Sequence, residues 1–173
     1  MSGDTLTGVG VSPGTAAGPV VQVAPPVRPP ADEPAPDDAE AATAQVSSAL
    51  AAVAADLDAK SAAADEHAAP ILKATAMIAR DKGLAKAAAK QVGGGAGPAT
   101  AIAAAVDEYA AQFEALGGYF AERVTDLRDV GSRAVAHVLG VPAPGVPTLT
   151  GPTVVIAHDL APADTATLDR EHV

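Results

Sequence analysis

The chain has 173 residues, no cysteine, and 21 acidic against 11 basic side chains, a formal net charge of −10. That length allows one ordinary domain or two small ones. Without thiols there are no disulfides, thiolate metal sites or cysteine nucleophiles, and so acidic a surface argues against a nucleic-acid partner.

Hydrophobic residues make up 49% of the chain, yet aromatic ones only 2%: Tyr109, Phe113, Tyr119 and Phe120. Alanine supplies much of the apolar total. It is the best helix former but contributes little hydrophobic free energy when buried. Closely packed helices around a thin core are therefore expected, although a GC-rich genome would produce the same composition. No apolar run approaches the roughly 18–20 residues needed to cross a bilayer. The start, Met1-Ser2-Gly3-Asp4, lacks the basic and apolar stretches of a secretory signal. A soluble, cytoplasmic protein is expected, with no membrane partner.

Residues 5–24 read as extended structure. Leu6, Val9 and Val11 precede the turn signal Ser12-Pro13-Gly14, and a β-branched run resumes at Pro19-Val20-Val21-Gln22-Val23. Pro25 to Pro36 holds six prolines and reads as a linker or an extended edge segment. Asp37-Asp38 marks a helix start, with negative charge where the helix dipole favours it. The helix runs to about Ala64 and carries Val46, Leu50, Val53 and Leu57 as one apolar stripe.

A second helix opens near Asp65-Glu66 and carries Ile71, Met77, Ile78 and Leu84, with Gly83 expected to kink or break it. Gly93-Gly94-Gly95 ends it. Pro98 suits the first turn of a third helix bearing Ile102, Val106, Phe113 and Leu116. Gly117-Gly118 then turns into a fourth helix holding Phe120, Val124, Leu127, Val130 and Val138, stopped by Gly140 and Pro142. Four helices with short loops read as two antiparallel hairpins. Thr153-Val154-Val155-Ile156-Ala157 reads as a short buried strand, followed by a helix from Asp159 or Pro162 through Leu168.

The catalytic inventory is poor. His67, His137, His158 and His172 lie far apart, and none pairs with another at metal-ligand spacing. Gly93-Gly94-Gly95-Ala96-Gly97 precedes a helix, but no strand leads into it and no Lys-Ser or Lys-Thr follows, so it reads as a helix–helix connection rather than a phosphate cradle. No carboxylate pair stands out as general acid and base. The residues alone describe a helical interaction module.

Four blocks, in order, add a resemblance. Gly8-Val9-Gly10-Val11-Ser12-Pro13-Gly14 is similar to the opening Ser-Pro-Gly strand pair of enzyme I of the phosphoenolpyruvate:sugar phosphotransferase system. Ile71-Leu72-Lys73-Ala74-Thr75-Ala76-Met77-Ile78-Ala79-Arg80-Asp81 resembles that family's Ile-Phe-x-Ala-His-x-Met-Leu-x-x-Asp stretch. Glu122-Arg123-Val124-Thr125-Asp126-Leu127-Arg128-Asp129-Val130-Gly131 is close to its Glu-Arg-x-x-Asp-Ile-Arg-Asp-Ile-Gly. Asp159-Leu160-Ala161-Pro162-Ala163-Asp164-Thr165-Ala166 resembles its Asp-Leu-Thr-Pro-Ser-x-Thr-Ala block.

The resemblance implies a mainly α fold: a four-helix subdomain of two helical hairpins that binds the small carrier protein HPr, inserted in a truncated α/β swivelling phosphohistidine subdomain. Residues 1–30 and 141–173 would belong to the α/β part and 37–140 to the helical part. Enzyme I moves phosphate from phosphoenolpyruvate, with Mg²⁺ in a C-terminal phosphoenolpyruvate-binding domain, onto a histidine and then to HPr. That histidine sits in a Gly-Gly-x-Thr-Ser-His motif, expected roughly a dozen residues past Val173. The chain is thus expected to be a fragment that binds but does not turn over, with no catalytic residue, metal or cofactor of its own.

The docking residues implied by matching positions are Glu66, Ile71, Thr75, Met77, Ile78, Asp81, Leu84, Phe113, Leu116 and Arg123, and Thr165 would support the absent histidine. Two departures stand out. Thr75 replaces a histidine, and Lys73, Arg80, Lys82 and Gly83 lie where the family is commonly more acidic. Either the partner carries compensating acids, or docking relies more on apolar contact. The other readings are an enzyme-I-like segment of a dihydroxyacetone kinase phosphotransfer subunit and a non-catalytic helical adaptor.

Overall fold

The computed structural model describes residues 13–169 and 171–173. Leu6, Val9, Val11 and most of the opening Ser-Pro-Gly block lie outside the described residues. The order is β1 (Val20–Gln22), α1 (Ala39–Ala63), α2 (Ala68–Ala79), α3 (Lys82–Gly93), α4 (Pro98–Leu116), α5 (Gly118–Glu122), α6 (Val124–Leu139), β2 (Val154–Ile156) and α7 (Pro162–Ala166).

Helix α1 starts as its charge pattern predicts. Asp38 accepts hydrogen bonds from the backbone N–H groups of Glu40 and Ala41, satisfying two donors that the helix itself cannot. Val46, Leu50, Val53 and Leu57 are all buried, as the stripe predicts. Asp65 does the same for α2, accepting from the N–H groups of His67 and Ala68.

The second predicted helix is two helices, and Gly83 is not the breaking point. The chain breaks at Arg80–Asp81, and the Asp81 carboxylate caps α3 by accepting from Leu84 N–H at 2.7 Å. Gly83 lies inside α3, and the Tyr109 hydroxyl occupies the space a Cβ there would need. The fourth predicted helix is also divided, at Arg123, into α5 and α6. That division lets Phe120 fold back on Phe113 of α4, ring centroids 5.5 Å apart. Gly140, in the left-handed region, ends α6.

Helix α6 runs through the middle of the bundle, packed by α1, α2, α4 and α7. Every residue from Asp129 to Ala136 is buried. The Pro-rich stretch 25–36 has no regular element, yet it is pinned at two points. Val27 N–H donates to Ser132 Oγ at 2.7 Å. Glu33 reaches the start of α4, where its carboxylate accepts from Ala99 N–H at 3.0 Å and Thr100 N–H at 2.6 Å. The helix N-terminus beside the glycine-rich connection is therefore filled by a carboxylate of the chain itself.

Strands β1 and β2 pair in parallel with Val20 opposite Val154 and Gln22 opposite Ile156, so the whole helical unit is inserted between two neighbouring strands. The sequence marks β2 as a buried strand, but Val154–Ile156 is only half-buried, since among the described residues it has one strand neighbour. Pro162 opens α7 at its first turn, one of the two starts predicted.

Candidate docking face and phosphotransfer recess

Helix α2 has two apolar sides. Ala68, Leu72, Thr75, Ala76 and Ala79 form the buried one. Ile71 and Ile78, seven residues apart, lie at its edge, and Met77 projects outward with 71% exposure. Two of the nominated docking residues therefore cannot meet a partner. Leu84 is 2% exposed and belongs to the core, because it lies on the inner stripe of α3 with Ala88 and Val92. Thr75 is 1% exposed, and its hydroxyl donates to the Ile71 carbonyl one turn back.

The four aromatic residues form one continuous run. Tyr109 and Phe113 on α4 stand 6.4 Å apart, Phe113 meets Phe120, and Phe120 meets Tyr119 at 6.2 Å. Arg123 closes the run: its guanidinium lies 4.8 Å from the Tyr119 ring centre and donates to the Tyr119 hydroxyl at 2.7 Å. Tyr109, packed against Gly83, ties the other end of the run to the start of α3, shortly after Met77 and Ile78. Leu116, Tyr119 and Phe120 are exposed, while Phe113 is half-buried beneath them. Exposed large apolar groups gathered in this way mark an interaction surface. Sequence reasoning placed neither Tyr119 nor Phe120 on the docking face. The crowding of all four rings between residues 109 and 120 was the available signal.

Of the nominated acids, Glu66 is exposed at the start of α2, and Asp81 is committed to capping α3. Arg123 also donates to Asp126 at 3.1 Å, and the other oxygen of that buried carboxylate has no hydrogen-bond partner among the described residues. These two hydrogen bonds raise the Arg123 pKa above its ordinary value. Arg80, just past the end of α2, pairs with Asp58 of α1, which holds the Asp58 carboxyl below its usual range.

Thr165 is brought to α2. It lines an open recess of about 500 Å³ between α2 and α7, with Asp65, His67, Ile71, Asp169 and Glu171. Its hydroxyl donates to the Pro162 carbonyl at 3.0 Å, as a first-turn threonine does. The residue before it is fixed rigidly. Arg133 of α6 is 5% exposed and donates from Nε to Asp129 at 2.8 Å and from Nη2 to Asp164 of α7 at 2.6 Å. Burial pushes the Asp129 carboxyl up, and the Arg133 guanidinium pulls against that shift. Burial also opposes the charge on Arg133, yet its two carboxylates hold its pKa above the ordinary value.

Among the described residues, no three carboxylates or imidazoles converge as a divalent metal requires, so no step through Mg²⁺ is assigned to them. Nor, among the described residues, is any helix long and apolar enough to cross a membrane.

Two parallel strands flank an inserted helical unit that carries exposed apolar residues and, beside α2, an open recess. The family model for the N-terminal domain of PEP-utilising enzymes matches residues 7–123, and the chain belongs to that family. It is 45% identical over 166 residues to the phosphoenolpyruvate-protein phosphotransferase of Streptomyces coelicolor, covering 95% of this chain and 30% of that protein. The same enzyme of Enterococcus faecalis is 44% identical over 75 residues, or 42% of this chain and 13% of that one. The chain thus spans under a third of the length of these relatives. An NMR structure of enzyme I superposes with a TM-score of 0.66 at 31% identity, over 78% of this chain and 57% of that one. An N-terminal domain of a nitrogen enzyme I shares the fold, with a TM-score of 0.59 at 23% identity, over 80% of this chain and 58% of that one.

Proposed function

We propose that this chain is the N-terminal region of a phosphoenolpyruvate-protein phosphotransferase and that it docks HPr for phosphoryl transfer between histidines. The observation that carries the reading is the outward Met77 and the aromatic run of α4 and α5, placed on the same helical unit as the recess that holds Thr165. Transfer between two histidines breaks one P–N bond and forms another in line, so the two proteins must be held in close register. Met77, Leu116, Tyr119 and Phe120 supply the apolar centre of that contact. Arg123, locked by Tyr119 and Asp126, supplies a fixed donor at its edge.

The recess between α2 and α7 supports a second part of the reading. Ile71 and Thr165 line it together, although they are far apart in sequence. An acceptor histidine placed there would lie beside the docking helix. No Gly-Gly-x-Thr-Ser-His motif occurs in the 173 residues, so the reading requires that histidine to come from elsewhere in the parent enzyme. The phosphoenolpyruvate site and its Mg²⁺ belong to the C-terminal domain of that enzyme, and the working compartment is the cytoplasm.

The test is an NMR titration of the labelled chain with the HPr encoded in the same genome. Perturbations centred on Ile71, Met77, Leu116, Tyr119, Phe120 and Arg123 are expected. Shifts confined to residues 142–152 would overturn the docking face. Labelled phosphoenolpyruvate with Mg²⁺ is expected to leave the chain unlabelled.

A further inference from the structure

The protein's charge is not spread evenly. Residues 68–93, which form α2 and α3, hold five cations (Lys73, Arg80, Lys82, Lys86 and Lys90) and one carboxylate, Asp81, a local balance of +4 in a chain of −10. Lys82, Lys86 and Lys90 recur every four residues and so line one side of α3. The buried Leu84, Ala88 and Val92 recur with the same period two positions later, which places them on the opposite side. All three lysines are exposed, and among the described residues none of them makes an ion pair.

The acids nearest to this stripe in sequence do not pair with it. Asp81 spends its carboxylate on the α3 cap. Asp58 is paired with Arg80. Glu66 lies eleven residues before Met77, about 16 Å along the helix, beyond the roughly 8 Å over which exposed charges act at physiological salt.

We infer that the α2–α3 hairpin is a basic rim for the docking face, and that the partner surface seated on Met77 carries carboxylates where it meets Lys82 and Lys86. The inference rests on the docking reading and adds the sign of the partner's charge. A compact protein fits better than a nucleic acid. It meets the local island within one screening length, whereas a long polyanion also meets the acidic remainder of the chain.

The test is the association rate of the full chain with its genome-matched HPr, measured by stopped flow from about 0.02 to about 0.3 M NaCl. For the native chain the rate is expected to fall about tenfold across that range. The variant K82Q/K86Q/K90Q, which keeps helix-forming residues at exposed positions, is expected to associate slowly and almost independently of salt. A native rate that is flat or rises with salt, or a triple variant that matches it, would overturn the inference while leaving the docking face intact. Absence of any complex at every salt concentration would overturn the docking reading and this inference with it. Salt-insensitive HPr binding with lysine-dependent retention on duplex DNA at about 0.15 M would assign the stripe to a polyanion instead.

Discussion

At the start of α6, Arg123 binds a carboxylate three residues ahead, Asp126, while its guanidinium stacks on an exposed tyrosine. Ten residues later Arg133 binds a carboxylate four residues behind, Asp129, and reaches across to Asp164 of α7. The pairings are similar, but the surroundings are not: the Arg123 side chain is 32% exposed and that of Arg133 is 5%. Water and a partner can reach the first guanidinium, so it completes a surface. They cannot reach the second, which fixes how α7 and the chain at Gly145 sit on the bundle. Burial decides whether the same ion pair serves recognition or architecture.

Removing the buried guanidinium gives the largest expected effect. Arg133→Met leaves Asp129 and Asp164 without their cation, and a loss of about 3–5 kcal/mol in unfolding free energy is expected. Urea denaturation measures it, and a loss below about 1 kcal/mol would mean that water compensates both carboxylates. At the other end of the comparison, Met77→Ala is expected to weaken HPr binding by about 2 kcal/mol, roughly thirtyfold in Kd. Its thermal stability is expected to stay within about 0.5 kcal/mol of the native chain, as for other exposed positions. Equal losses of binding and stability would place Met77 in the core and erase the contrast.

Arg123→Ala falls between these cases. Asp126 keeps its burial and loses its one hydrogen-bond donor, so a stability loss of about 1–2 kcal/mol is expected, smaller than for Arg133 because solvent enters the gap. Calorimetry of the two arginine variants side by side orders them directly. The smallest effect belongs to Glu33→Ala, which uncaps α4 at a half-buried site and is expected to cost about 1 kcal/mol. Faster amide exchange at Ala99 and Thr100 would report the lost cap, and unchanged exchange there would show that the strap is held by Val27 and Ser132 alone.

Local pattern alone determined much of the helical unit. The Asp38 cap and the stripe of Val46, Leu50, Val53 and Leu57 define α1, because capping and a period near four are properties of neighbouring residues. Pro98 and Gly140 mark two more helix ends for the same reason, since each restricts or frees its own backbone. What the sequence could not decide was which side of α2 faces inward. Leu72 and Met77 are both apolar on a helix rich in alanine, and only packing against α1 and α6 made the first core and the second surface.

The burial of α6 was equally hidden. Nothing in the sequence marked Asp126, Asp129, Ser132 and Arg133 as buried, yet all four are: inside the bundle Arg123 pairs with one oxygen of Asp126, Asp164 with Arg133 and Val27 with Ser132. Two of those partners come from outside the helix. The same holds for Glu33 at the start of α4, 66 residues from its partner, and for Val20 beside Val154, joined across most of the chain. A one-dimensional pattern records what a residue prefers among its neighbours. Which distant group desolvates it, and whether that group also pairs with it, is settled only when the helices pack.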